Sequence, residues 1–360
     1  MSLASGSPEP LLELRRGTTV ESIHFGSAAV VDASSRMIAW IGDPQTITFL
    51  RSSAKPFQAL PFIENGGHST FSLTLSEIAL ICGSHIGTDM HAKVVCGIQD
   101  KTCIRESDLQ CGTHPPFDKA TADRLFLGGE KPSPNRHNCS GKHSGMLAYA
   151  KMHGLPLETY LDPEHPIQRE ILATLAEMCA LDTAEVRTGI DGCSAPIFAV
   201  PLFNAALAFA RLCDPYNLSE ARAAACRTIV TAMTSHPEMV SGTGRFDTRL
   251  MEAGGGKILS KGGAEGYQAT GLLPGALGPG SPGIGIVLKV SDGDQAVTES
   301  DGERRSRVRP SVTLEILCQL GALNKMQLSE MAEFGPVKPV LNWRKLVVGE
   351  SRPVFTLHRA

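Results

Sequence analysis

"GDPQTITFLRSSAKPFQALPF", residues Gly42 to Phe62, is where the chain changes its period. Upstream, "SAAVVDA" (Ser27 to Ala33) and "RMIAWIGD" (Arg36 to Asp43) are short β-branched and aromatic runs separated by a Ser-rich turn, a pattern that predicts a hairpin. Downstream, Phe57, Ala59, Leu60 and Phe62 fit one buried helical face over Lys55 to Glu64, and Gly66-Gly67 ends it. Ser52 then lies at the start of that helix or one turn before it. The junction therefore carries a polar pair, Ser52 and Lys55, three residues apart.

Outward from this junction the middle of the chain reads as helical. "PIQREILATLAEMCAL" places Ile167, Ile171, Leu175 and Met178 on one face, and "SEARAAACRTIVTAM" (Ser219 to Met233) repeats the pattern with Ser219 as its cap. Between them lies the turn-rich "TGIDGCSAPIFAVPL". Strands return in "GIGIVLKVSDGD" (Gly283 to Asp294), and a helix follows in "SVTLEILCQLGAL" (Ser311 to Leu323). Strands at both ends around a helical middle predict a mixed sheet drawn from the two termini and covered by helices. No internal repeat is visible. The Gly/Pro-rich "LLPGALGPGSPG" reads as a loop and the charged "ESDGERRSR" as an exposed excursion.

The 360 residues, 42% of them hydrophobic, suffice for a sizeable core. A net charge of -3 with both signs dispersed offers no basic stripe for nucleic acid or an acidic membrane, so a small-molecule partner is expected. No long apolar run and no secretory leader stand out, which makes the expected location cytoplasmic. Ten cysteines in such a chain fit reduced thiols better than a disulfide framework.

Five stretches could carry chemistry. Ser52-x-x-Lys55 puts a hydroxyl and an amine one turn apart, within hydrogen-bond reach, so a neutral lysine could activate the serine for attack on an acyl group. That lysine must fall well below its ordinary value of about 10.4, through burial or a neighbouring cation. The bland alternative is a capping serine and a solvated lysine, and about one such pair arises by chance in a chain of this size. In "ICGSHIGTDMH", Ser84 and His85 sit between glycines after an apolar run; His85 and His91 are base or ligand candidates beside the plainer reading of histidines without chemistry, and Ser84 alone reads as a turn residue. "NRHNCSGKHSGM" groups Cys139, Lys142, His143 and Ser144 ahead of an Ala-rich helical run, and "IDGCSAP" holds Cys193. It is neither a phosphate loop nor a G-x-S-x-G elbow. Cys139 and Cys193 are flanked by glycine and polar residues, which marks them as candidate metal ligands or nucleophiles beside the reading as buried thiols. Lys261 precedes two glycines in "SKGGAEGYQATG", where backbone can approach a ligand closely.

With Ser52-x-x-Lys55, "GSHIG", "HNCSGKHSGM", "DGCSAP", "HPEMVSGTGRFDT" and "KGGAEG" in this order, the chain resembles the asparaginase II family from about Leu12 to Pro353. The resemblance implies one catalytic domain over 1–360, with a sheet from both termini and a helical middle at about 120–240. It implies an α/β (α+β) fold, the αβα sandwich of serine β-lactamases and penicillin-binding proteins with a largely antiparallel sheet, as a homodimer. It also implies hydrolysis of L-asparagine to L-aspartate and ammonia. By the motif match Ser52 is the nucleophile and Lys55 its base, Ser84 and Lys261 form a second Ser-Lys pair, and Arg51 supports the site. Cys139, Lys142 and Cys193 correspond to a zinc-binding trio, with Asp191 and His143 close by and a water completing the coordination. Zinc would then be an accessory, because the serine and lysine already supply the nucleophile. The segment "VTESDGERRSRVRP" is longer than the compact connection expected there, which concerns a surface loop and leaves the site untouched.

Two rival readings remain at this level. The same chemistry could act on glutamine or another amide, since pocket size separates these. The chain could instead be a non-catalytic zinc-binding homologue, against which the presence of both serines and both lysines counts.

Overall fold

The computed structural model describes residues 6–298 and 304–360. The strands are β1 (Glu9–Arg16), β2 (Thr19–Asp32), β3 (Met37–Ile41), β4 (Ile47–Phe49), β5 (Arg187–Ile190), β6 (Pro196–Pro201), β7 (Ile258–Gly262), β8 (Tyr267–Leu272), β9 (Ile284–Val290), β10 (Val297–Thr298), β11 (Arg304–Arg305), β12 (Lys338–Leu341), β13 (Val347–Pro353) and β14 (His358–Arg359). The helices are α1 (Lys55–Glu64), α2 (Gly67–Thr70), α3 (Leu75–Ile81), α4 (Asp89–Thr102), α5 (Lys119–Leu127), α6 (Ser140–Met152), α7 (Pro166–Cys179), α8 (Leu202–Cys213), α9 (Glu220–Ser235), α10 (Pro237–Val240), α11 (Phe246–Ala253), α12 (Arg309–Leu320) and α13 (Lys325–Glu330). They form two compact units, one from residues 1–48, 200–214 and 253–360, the other from 49–199 and 215–252.

The first unit is built on a nine-stranded sheet in the order β12-β13-β1-β2-β9-β8-β7, with β3 paired to β2 and β14 to β3. Neighbouring strands along this order run antiparallel, and both termini of the chain contribute, as the sequence pattern predicts. The predicted hairpin is β2 and β3. Its turn is held by the Asp32 carboxylate, which accepts the backbone N–H of Ser34 and of Arg36 and the Ser34 hydroxyl. Burial raises this carboxyl, but those bonds outweigh it and keep Asp32 below the ordinary carboxylate value. β9 is buried almost throughout, and α8 packs against it. A Cβ on Gly285 would lie 1.8 Å from the Ala206 carbonyl oxygen, so glycine is what allows the helix backbone this close to the strand. β10 and β11 pair with each other, and residues 299–303 of the segment predicted as an exposed excursion lie outside the described residues.

In the second unit α1 packs against α6, α7 and α9. The helix predicted over Lys55 to Glu64 has those ends, and α9 begins at the predicted cap, where Ser219 Oγ accepts the Arg222 N–H at 3.3 Å. The apolar run before "GSHIG" is a helix, α3, started by a Thr74/Glu77 capping box. A Cβ on Gly141 would stand 2.3 Å from the Leu80 carbonyl oxygen, so α6 meets the end of α3 backbone to backbone. That crossing sets the first turn of α6 beside the glycine turn that follows α3. Among the described residues no helix is long and apolar enough to cross a membrane, and the ten cysteines form no disulfide.

Candidate active site

Ser52 sits in a single 3-10 turn, Arg51–Ala54, that leads into α1. No side chain caps α1, whose N-cap is Ala54, so Ser52 is not a capping serine. Its hydroxyl makes no hydrogen bond within the described residues, while the Lys55 backbone N–H donates to its carbonyl. Arg51, one residue earlier, has φ of +51°, a left-handed conformation that costs a non-glycine residue about 1–3 kcal/mol. Its Nε donates to Asp191 Oδ1 at 2.9 Å, a pair that anchors the strained residue.

Lys55 is 1% exposed, which excludes the solvated-lysine reading. Its Nζ donates to the Gly83 carbonyl at 2.5 Å, to Ser84 Oγ at 2.8 Å and to the Asn138 carbonyl at 3.2 Å. The structure thus joins Lys55 to Ser84, and Ser52 Oγ is not among its hydrogen-bond partners. Burial is the largest influence on Lys55 and holds the amine below the ordinary lysine value, helped by the Lys142 charge and opposed by Cys139 and Cys193. Ser84 is fixed from behind by its own N–H on the Val240 carbonyl at 2.7 Å.

The next cluster is set by α6 and a hairpin turn. Cys139 is the N-cap of α6 and Lys142 lies one turn on, so both face the same way. Cys193 comes from the turn between β5 and β6, closed by Asp191 N–H on the Ala195 carbonyl at 2.9 Å. Lys142 Nζ donates to Cys193 Sγ at 2.9 Å. The Cys139 thiol is held well below its ordinary value, first by its interaction with Cys193 and then, against the penalty of burial, by Lys55 and Lys142. Cys193 moves up, so the pair keeps one proton between two sulfurs. Burial works against the Lys142 cation, but Cys139, Cys193 and Asp191 prevail and raise it. Asp191 is pushed up by burial and pulled further down by Lys142, the Gly192 N–H and Arg51, for a net fall.

His143 is fully buried beside this cluster. Tyr160 Oη accepts the Gln110 N–H at 3.0 Å, so its own proton goes to His143 Nδ1 at 2.6 Å. The imidazole proton is then on Nε2. Burial takes His143 down to about 4, with the Cys193 sulfur opposing, so the ring is neutral at neutral pH. Among the described residues no group of three or more His, Cys, Asp or Glu side chains is arranged to hold a metal ion. The donors that do converge are two thiols and the Lys142 amine.

Lys261 belongs to the sheet unit, at the end of β7, where it is 1% exposed and donates from Nζ to the Gly262 carbonyl at 2.8 Å. His85 and His91 are both buried and hydrogen-bonded within the protein, His91 inside α4. Gly87 N–H donates to His85 Nδ1 at 3.2 Å, so Nε2 carries the proton toward Ser140 Oγ at 2.9 Å. His91 is taken up by Thr88 Oγ1 and the Glu238 carbonyl. Sequence reasoning missed the Gly83 and Asn138 carbonyls that hold Lys55, although both lie inside motifs it singled out. It also missed Val240, which lies inside the quoted "HPEMVSGTGRFDT", and Tyr160, for which the sequence offers no local signal.

No curated protein sequence matches the chain. Among solved structures it overlaps loosely with a probable glutaminase from Bacillus subtilis complexed with 6-diazo-5-oxo-L-norleucine, at 12% identity over 83% of this chain and 84% of that one, with a TM-score of 0.39. A Bacillus glutaminase crystallised in the presence of 4.3 M NaCl overlaps at 12% identity over 82% and 91%, with a TM-score of 0.37. The family model for L-asparaginase II matches residues 12–353, nearly the whole length, and the chain belongs to the asparaginase II family.

Proposed function

We propose that the protein is an L-asparaginase that hydrolyses the side-chain amide of L-asparagine through an acyl-enzyme on Ser52. The observation that carries this reading is the buried Lys55 amine, held below its ordinary value, at a turn whose Ser52 hydroxyl makes no hydrogen bond among the described residues. Family membership supports it. We take the chain as one catalytic domain and its antiparallel sheet and helices as a variant of the serine β-lactamase architecture.

In this mechanism neutral Lys55 takes the proton as Ser52 Oγ attacks the amide carbon. Backbone N–H groups, that of Ser52 included, stabilise the tetrahedral oxyanion. The C–N bond then breaks, the nitrogen leaves as ammonia with the proton returned to it, and an aspartyl ester remains on Ser52. Water attacks the ester, its proton passes to the lysine and back to Ser52 Oγ, and L-aspartate departs. Ser84 acts as the second serine of this proton traffic, and Lys261 is taken as a further catalytic lysine. Arg51, with Asp191 setting its guanidinium, supports the substrate.

Cys139, Lys142 and Cys193 fit an accessory zinc site, being two mutually interacting thiols and an amine around one point. When bound, zinc would polarise an oxygen ligand and brace the pocket. Lys142 would have to lose the proton that its surroundings now favour, so metal uptake should increase with pH. An ionised Cys193 would also give the buried His143 Nε2–H an acceptor.

A second reading of the nucleophile follows from the 2.8 Å contact between Lys55 and Ser84: in it Ser84 is acylated and Ser52 assists. Ammonia release from an amino-acid panel, with and without chelator, tests the substrate. Asparagine is expected to be turned over at least tenfold faster than glutamine, and equal or preferential turnover of glutamine would replace the assignment.

A further inference from the structure

Lys261 and Gly262 are the last paired residues of β7, opposite Ala269 and Gln268, and the turn that begins at Gly263 starts with the residue type of widest conformational freedom. The turn from β7 to β8 is closed by the Gly263 N–H on the Tyr267 carbonyl at 2.9 Å. Both ends of this turn are also gripped by one side chain, because Arg309 Nη1 donates to the Gly263 carbonyl at 2.9 Å and to the Tyr267 carbonyl at 3.3 Å. The Lys261 amine rests on the carbonyl immediately before Gly263, that of Gly262.

Arg309 is the first residue of α12, where a cation meets the positive end of the helix and is locally unfavourable. Val308, at the N-cap, supplies no side-chain cap. Asp294 provides what is lacking. Its carboxylate accepts the backbone N–H groups of Arg307 at 3.1 Å, Val308 at 3.0 Å and Arg309 at 2.8 Å, together with the Ser306 hydroxyl. Asp294 therefore holds the start of α12, and Arg309 reaches from there to the lysine turn. A residue that breaks a local rule and is compensated from a distance marks a tertiary role.

We propose that Arg309 is a positioning residue for Lys261, with Asp294 fixing Arg309, so that these two residues set the conformation of the turn that follows Lys261. The inference rests on the catalytic reading of Lys261 given above.

The test is a double-mutant cycle of Arg309→Met and Lys261→Met in L-asparagine hydrolysis, with thermal melting to verify folding. Arg309→Met is expected to lower kcat about 10- to 100-fold with KM within about threefold, since a misplacement near 1 Å has that effect. Arg309→Lys should recover part of the loss, because an ammonium can grip one carbonyl of the two. In the Lys261→Met background the Arg309 substitution should cost nothing further, whereas a merely structural role would give additive losses. Additive losses, or a normal kcat in Arg309→Met while Lys261→Met is crippled, overturn the clamp alone. A Lys261→Met enzyme with wild-type kcat shows instead that the catalytic reading of Lys261 has failed, and the clamp with it. Should Arg309→Met not fold, Arg309→Lys carries the same cycle.

Discussion

Lys55 and Lys142 lie in the same compact unit, 1% and 3% exposed, and burial disfavours the cation of each, yet their surroundings drive them in opposite directions. Lys55 meets two backbone carbonyls and a hydroxyl, all neutral, and the pull of Cys139 and Cys193 does not outweigh burial and the Lys142 charge, so the amine is held down. Lys142 meets a thiol pair that carries negative charge, with Asp191 nearby, and is held up. Burial alone does not make a lysine a base; the charge of its partners decides. Two ionisable groups pushed apart in this way separate a proton acceptor from a resident cation.

The largest expected contrast is in turnover. Lys55→Met should lower kcat for L-asparagine by about 10³-fold, in the range for loss of a general base, and Lys142→Met by about tenfold with lowered zinc content. Steady-state kinetics with elemental analysis reads both, and equal losses would erase the distinction. Next in size is the pH dependence of stability. Lys55 has a folded value below its unfolded 10.5, so between the two the unfolded chain binds more protons and stability rises with pH. Lys142 has a folded value above 10.5, so its contribution is present below 10.5 and is lost as pH climbs through the raised value. Urea unfolding across alkaline pH should show Lys55→Met losing the rise on the lower side and Lys142→Met losing the fall on the upper side. The smallest effect belongs to the pair that links the cluster to the nucleophile turn: Asp191→Asn should raise KM about tenfold, or ~1.4 kcal/mol, with kcat nearly kept.

Much of the fold was legible because it rests on local patterns. The period change at Lys55 gave both ends of α1, Ser219 gave the start of α9, and the apolar run over Gly283 to Asp294 gave β9. β1 was not anticipated, since "EPLLELRR" is charged, and it is a strand because β2 and β13 flank it. The site residues were legible as motifs, but their partners were not. Lys55 on Gly83 and Asn138 depends on α6 crossing α3 at Gly141, a contact between residues about 60 positions apart that no local pattern encodes. The excursion after Asp294 reads from sequence as unrelated to the site, and only the folded chain brings Arg309 onto the Lys261 turn.

The central claim concerns which hydroxyl the lysine serves. L-asparagine turnover quenched in acid, followed by proteolysis and mass spectrometry, locates the acyl group directly. An aspartyl ester is expected on the peptide that contains Ser52 and none in Ser52→Ala; an ester on the Ser84 peptide, or steady ammonia release from Ser52→Ala, would overturn Ser52 as the nucleophile.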